Sequence, residues 1–98
     1  MPMLKFDLVE GRTDKQIQTM LDAAHRAVLT AFNVPERDRY QVVNEHKALR
    51  MVIEDTGLGI TRTNNIVVVS VVSRERSKHA KQLFYSELCR ELEASCGI

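Results

Sequence analysis

Apolar positions along the chain follow two periods in turn, and the pair of periods then repeats. Residues 3–9 alternate apolar and polar side chains and end at Glu10-Gly11, which predicts a strand with one face on a core. Thr13 and Asp14 are N-cap candidates for a long helix. Its apolar stripe is Ile17, Met20, Leu21, Ala24, Ala27, Val28, Ala31 and Phe32, at 3.6-residue spacing. Asn33 suits a left-handed stop, and Pro35 cannot continue the helix. Residues 40–45 and 50–54 read as two short strands, and residues 56–59 (Thr-Gly-Leu-Gly) as a loop. Residues 66–72 are rich in valine and nearly unbroken, which predicts a strand buried on both faces. Ser77 caps a second helix with Ala80, Leu83, Phe84, Leu88, Leu92 and Cys96 on its stripe, and Gly97 is its C-terminal stop.

The two halves repeat each other. Placing Thr13 on Ser77 also places Met20 on Phe84, Ala24 on Leu88, Val28 on Leu92 and Phe32 on Cys96. Cap, stripe and stop all coincide, so a strand–helix–strand unit is duplicated, each unit calling for a right-handed parallel crossover. The expected fold class is α+β: duplicated β-α-β units forming one mixed sheet with two helices on one face. The second unit lies antiparallel to the first about a pseudo-twofold. Residues 35–45 continue the first unit into its closing strand, and no counterpart follows Ile98. The expected organisation is one domain over residues 1–98, with repeat 1 at about 2–46 and a C-terminally shortened repeat 2 at about 65–98. One sheet edge is then open, or something else covers it.

Composition narrows the function classes. A chain of 98 residues holds one small core, so oligomerisation would help it. Lys plus Arg is 14 against 13 for Asp plus Glu, a balance that argues against a nucleic-acid partner. No apolar run is long enough to cross a bilayer, and the first residues carry no secretory apolar core. No membrane partner and a cytoplasmic location are therefore expected. Cys89 and Cys96 are read as free thiols packed on one helix face.

Three features carry chemistry. Removal of Met1 ahead of Pro2 would leave a secondary amine at the start of a strand. An α-amino group titrates near pH ~8, so small shifts make it an acid, a base or a nucleophile near neutrality. In Ser73-Arg74-Glu75-Arg76-Ser77, alternate residues point the same way. Arg74 and Arg76 can thus converge beside a helix N-terminus as a carboxylate site, with Glu75 opposite. The third is Asp38, just before the second strand. Parallel pairing within a unit brings Asp38 to the end where Pro2 starts, and the antiparallel second unit brings Arg74 and Arg76 there too. An amine, a carboxylate and two guanidinium groups on one rim suit a small anionic carbonyl substrate. His25, His46 and His79 lack metal-ligand spacing, and Gly57-x-Gly59 lacks a third glycine at Arg62. Neither a metal nor a cofactor is expected. Arg26, Arg37, Arg39 and Arg50 read as solvated surface.

Taken together, residues 2–14 (Pro-Met-Leu-Lys-Phe-Asp-Leu-Val-Glu-Gly-Arg-Thr-Asp), 21–25 (Leu-Asp-Ala-Ala-His), 38–41 (Asp-Arg-Tyr-Gln), 54–59 (Glu-Asp-Thr-Gly-Leu-Gly) and 73–77 (Ser-Arg-Glu-Arg-Ser) resemble the tautomerase superfamily. Within it they are most similar to the malonate semialdehyde decarboxylase group. The resemblance spans essentially the whole chain. It implies a homotrimer with a catalytic amino-terminal proline, assisted by an aspartate and two arginines that map onto Pro2, Asp38, Arg74 and Arg76. It implies no cofactor. Glu75 departs from the group, which has proline there. The group's chains also continue past this endpoint into a last strand and an apolar wall over the site.

The function expected is that of a cofactor-independent enzyme acting on small oxo or unsaturated carboxylic acids, most similar to malonate semialdehyde decarboxylase or a tautomerase. Two other readings are a non-catalytic tautomerase-fold module that oligomerises or binds a partner, and a ferredoxin-like regulatory domain with the same element order.

Overall fold

A computed structural model describes residues 2–54 and 65–97. The elements are β1 (Met3–Val9), α1 (Asp14–Phe32), β2 (Tyr40–His46), a 3-10 turn (Ala48–Arg50), β3 (Val67–Val72) and α2 (Lys78–Cys96). They form one mixed sheet in the order β2-β1-β3. β2 runs parallel to β1, with Met3 opposite Tyr40 and Val9 opposite His46. β3 runs antiparallel, with Met3 opposite Val72 and Leu8 opposite Val67. The antiparallel placement of the second unit is the one its pseudo-twofold requires. The expected loop at residues 56–59 lies outside the described residues.

Alternation in β1 decides which face is covered. Leu4, Phe6 and Leu8 are buried against Met20, Ala23, Ala24, Ala27, Val28 and Phe32 of α1 and Phe84 and Leu92 of α2. Both helices therefore lie on the same face of the sheet, and Phe6 at its centre is wholly inaccessible. Met3, Lys5 and Asp7 point to the other face, level with Val72, Ser70 and Val68 of β3.

The helix ends are those the sequence predicts. Thr13 Oγ1 accepts from Gln16 N at 3.1 Å, and Gln16 Oε1 accepts from Thr13 N at 2.8 Å, a reciprocal capping box. Asn33 ends α1 in the left-handed region at φ 50°. Ser77 Oγ accepts from Ala80 N at 3.1 Å, and Gly97 closes α2 at φ 66°.

Three expectations are corrected. Residues 50–54 form no strand: Arg50 ends a 3-10 turn whose N–H donates to Lys47 O at 2.8 Å. Residues 51–54 pair with no strand among the described residues, and Val52 is exposed. β3 is not buried on both faces. Val67, Val69 and Val71 pack on the core, whereas Val68, Ser70 and Val72 are exposed, Val72 by 62%. The helices cover one side only, and a valine run with Ser70 as its one polar residue carries little signal of which. Cys89 is likewise exposed rather than packed, while Cys96 rests against the core.

Candidate active site

The register brings the three sequence features to one end of the sheet. Pro2 precedes Met3, which faces Tyr40 on one side and Val72 on the other. Extending each ladder by one residue sets Pro2 between Arg39 and Ser73, with Asp38 and Arg74 the next residues outward. The Pro2 side chain is less than 2% exposed. Its burial follows from strand parity, because Pro2 shares the covered face with Leu4 and Phe6.

The loop that carries Asp38 is tied to α1 at several points. Asn33 turns the chain, and Asp38 N donates to Pro35 O at 2.9 Å. His25, 7% exposed on α1, places Nε2 at 2.6 Å from Glu36 O, so that nitrogen carries the proton. Arg39 donates from Nη2 to Asp22 Oδ1 and from Nε to Gln41 Oε1, both at 2.8 Å. Gln41 Nε2 in turn donates to Leu21 O at 2.8 Å. The Arg39 hydrogen bond, with help from Gln18, holds the Asp22 carboxyl below the usual carboxylate range. Arg39, expected as free surface, is therefore a strap between the loop and the helix. Asp38 itself is half-buried, and its Oδ1 is inaccessible without a hydrogen-bond partner.

The opposing joint runs from β3 into α2. Ser73 Oγ donates to Arg74 O at 2.8 Å, and the Ser77 cap fixes the first turn of the helix. Arg74 and Glu75 are exposed, whereas Arg76 is half-buried. The Arg76 guanidinium lies over the Phe32 ring, 5.0 Å from its centroid. Phe32 stacks on Phe84 at 5.0 Å with the planes 25° apart. Arg76 Nε is buried with no hydrogen-bond partner. A cavity of about 90 Å³ opens here, lined by Phe32, Ser73, Arg76, Lys81, Phe84 and Tyr85.

Pro2, Asp38, Arg74 and Arg76 thus share one end of the sheet, although no hydrogen bond or ion pair among the described residues joins any two of them. His25 and Phe32 are the supporting side chains that sequence patterns leave out. Phe32 reads as ordinary core, and a histidine beside an apolar stripe carries no signal of what its ring nitrogen meets. His46 pairs with Asp7 Oδ1 at 2.8 Å on the uncovered face. A cavity of about 520 Å³ lies at the far end of β1 against Gly11, Arg12, Lys15 and Cys96. Its Arg12 is already committed to Asn65, at 2.7 Å to Oδ1 and 3.0 Å to the carbonyl. Volume and chemistry therefore point to opposite ends, and the unpaired polar atoms sit at the Pro2 end. Among the described residues no three His, Cys, Asp or Glu side chains cluster as metal ligands, and no helix is long and apolar enough to cross a membrane.

The sequence and the fold also match known proteins. Two profiles described as tautomerase enzyme match, one over residues 2–60 and the other over residues 38–98. Probable tautomerase YrdN of Bacillus subtilis is 53% identical across 100% of this chain and 76% of its own length. A solved structure of malonate semialdehyde decarboxylase is 53% identical with a TM-score of 0.94, covering 98% of this chain and 74% of that one. FG41 malonate semialdehyde decarboxylase, inhibited by 3-bromopropiolate, is 28% identical with a TM-score of 0.84, over 98% of this chain and 73% of that one. A fused 4-OT asymmetric trimer, 17% identical with a TM-score of 0.74 over 98% of this chain and 76% of that one, shares the fold. The chain belongs to the tautomerase family, in its malonate semialdehyde decarboxylase-like group.

Proposed function

We propose that this tautomerase-family chain is a cofactor-independent enzyme whose amino-terminal proline, freed by removal of Met1, acts on small oxo or unsaturated carboxylic acids. The observation that carries the reading is the meeting of Pro2, Asp38 and the Arg74–Arg76 joint at one sheet end, where Asp38 Oδ1 and Arg76 Nε are buried and unpaired. Buried polar atoms ordinarily find partners, so two orphans of opposite charge mark a place where something else supplies them. The whole chain is read as a single tautomerase-like domain. It works as a cytoplasmic homotrimer, and the exposed apolar Val68 and Val72 on the uncovered sheet face support assembly.

With a 3-oxo acid such as malonate semialdehyde, Arg74 and Arg76 hold the carboxylate. Their grip stabilises the ground-state charge, so its contribution to rate is orientation, setting the C–CO2 bond along the carbonyl π system. Protonated Pro2 donates its N–H to the carbonyl oxygen. The C–CO2 bond breaks, its electron pair enters the enolate, and CO2 leaves. The N–H proton of Pro2, passed directly or through Asp38, then adds to the α-carbon to give acetaldehyde, and solvent reprotonates the amine. A carboxylate beside the amine favours its charged form and the arginines disfavour it. In the neutral form Pro2 instead takes a proton from an enol and returns it to carbon, which is tautomerisation.

The mass of the intact protein and two substrates test the reading. The expected mass lacks Met1. The wild type is expected to convert malonate semialdehyde or the enol of phenylpyruvate, and Arg74→Ala to lose most of that rate. Retained Met1 would leave a non-catalytic tautomerase-fold module as the better reading, and equal rates in both proteins would rule out the role assigned to Arg74.

A further inference from the structure

Two arginines of one joint are held in different ways. Arg74 is exposed, and no ion pair or ring contact holds it among the described residues. Arg76 has no ion pair either, yet its guanidinium is seated on Phe32 and its Nε is inaccessible to water. The seat is itself fixed. Phe32 is the last residue of α1 and 7% exposed, and Phe84, 1% exposed on α2, stacks against it.

The chemistry of this support differs from that of a salt bridge. A carboxylate partner would fix Arg76 but occupy its N–H donors and cancel its charge. An aromatic face attracts the cation through the ring quadrupole and accepts no conventional hydrogen bond from the guanidinium edge. Among the described residues no acceptor occupies the four Nη donors of the planar Arg76 fork, which stay available for a bidentate carboxylate. Burial of Nε also removes competing water from one side. Such a guanidinium is pre-organised, and its side-chain entropy is largely spent before a ligand arrives.

We propose that Phe32, backed by Phe84, is a positioning residue that makes Arg76 the fixed anchor for the substrate carboxylate, while the exposed Arg74 closes on it afterwards. The inference rests on the reading of Arg76 as a carboxylate-binding group. It adds a division of labour between the two arginines and a residue outside the charged set. The adjoining cavity of about 90 Å³ has Lys81 at its rim, so the fixed end of the site favours a compact anion.

The test measures binding separately from turnover, by titration calorimetry with malonate, a three-carbon dicarboxylate that offers no carbonyl carbon for aldehyde chemistry. Phe32→Leu removes the π face and keeps an apolar side chain, and it is expected to weaken malonate binding roughly 2- to 5-fold. Phe32→Tyr keeps the face and is expected to bind as the wild type does. In an Arg76→Ala background, Phe32→Leu is expected to cause no further loss, because its only route to the ligand is gone. Where turnover is measurable, Phe32→Leu should raise KM and leave kcat within about twofold. Wild-type affinity in Phe32→Leu, or an equal loss with Arg76 already removed, would overturn the positioning role. That result leaves the proposed function standing if the wild type still turns over its oxo acid. A wild type that neither binds malonate nor turns over any oxo acid would sink both.

Discussion

Ser77 and Thr13 cap the two helices alike, but only Ser77 adjoins the proposed site. Ser77→Ala removes the oxygen that accepts from Ala80 N at 3.1 Å, and an N-cap of this kind contributes about 1 kcal/mol. For a domain of this size that is a fall in Tm of roughly 4–8 °C. Thr13→Ala removes the oxygen that accepts from Gln16 N at 3.1 Å and leaves the backbone bond from Thr13 N to Gln16 Oε1 in place, so its fall should be similar. Turnover should separate the two. Ser77 follows Arg76 directly, and fraying of the first turn of α2 moves the guanidinium off its seat, which lowers kcat/KM by roughly 3- to 10-fold. Thr13 lies beyond the other end of β1 and should leave kcat/KM unchanged at temperatures where the variant is folded. Differential scanning fluorimetry and steady-state rates on the same preparations decide it. Equal losses of turnover in the two variants would refute the assignment of the site to the Pro2 end, and an unchanged Tm for both would refute the capping contribution.

Asn33 holds φ 50°, so Asn33→Gly should match or exceed the wild-type Tm, whereas Asn33→Val should cost about 1–2 kcal/mol in a denaturant titration. The Asp22 pKa is lowered chiefly by the hydrogen bond from Arg39. The stability it contributes is present above the unfolded carboxylate pKa of about 3.9 and is lost as pH falls through the depressed folded value. Asp22→Asn should therefore flatten the acid limb of a stability-versus-pH curve and change little once pH is below the depressed folded value. Burial pushes the Cys96 thiol pKa up, and Cys89 is exposed, so a thiol reagent at pH ~8 should label Cys89 first. Peptide mapping that finds Cys96 modified first would contradict the packing of the last turn of α2.

The features legible in the sequence are those that local physics settles. Thr13, Asn33, Ser77 and Gly97 stand at the helix ends that their side chains and backbone preferences predict. The alternation of Leu4, Phe6 and Leu8 fixes the covered face of β1. The duplication supplies the antiparallel relation of β3 to β1, and with it the meeting of Pro2, Asp38, Arg74 and Arg76 at one end. Features that depend on a distant partner were not legible. Residues 50–54 read locally as a strand but pair with none among the described residues, and Val67–Val72 has only Ser70 to mark its open face. The seat of Arg76 on Phe32 joins residues from the two repeats, and no spacing within either repeat encodes it. The same holds for His25, whose partner is a backbone carbonyl contributed by Glu36.

The amine of Pro2 is the centre of the proposed chemistry, and its replacement is the most direct measurement. A positioned proton-moving group contributes about 10²- to 10⁴-fold in rate, and Pro2→Ala leaves a primary amine without the ring that positions it. Pro2→Ala, confirmed by mass to have lost Met1, is predicted to fall at least about 100-fold in kcat/KM on the oxo acid that the wild type converts best. A Pro2→Ala protein as active as the wild type would contradict the role assigned to the proline.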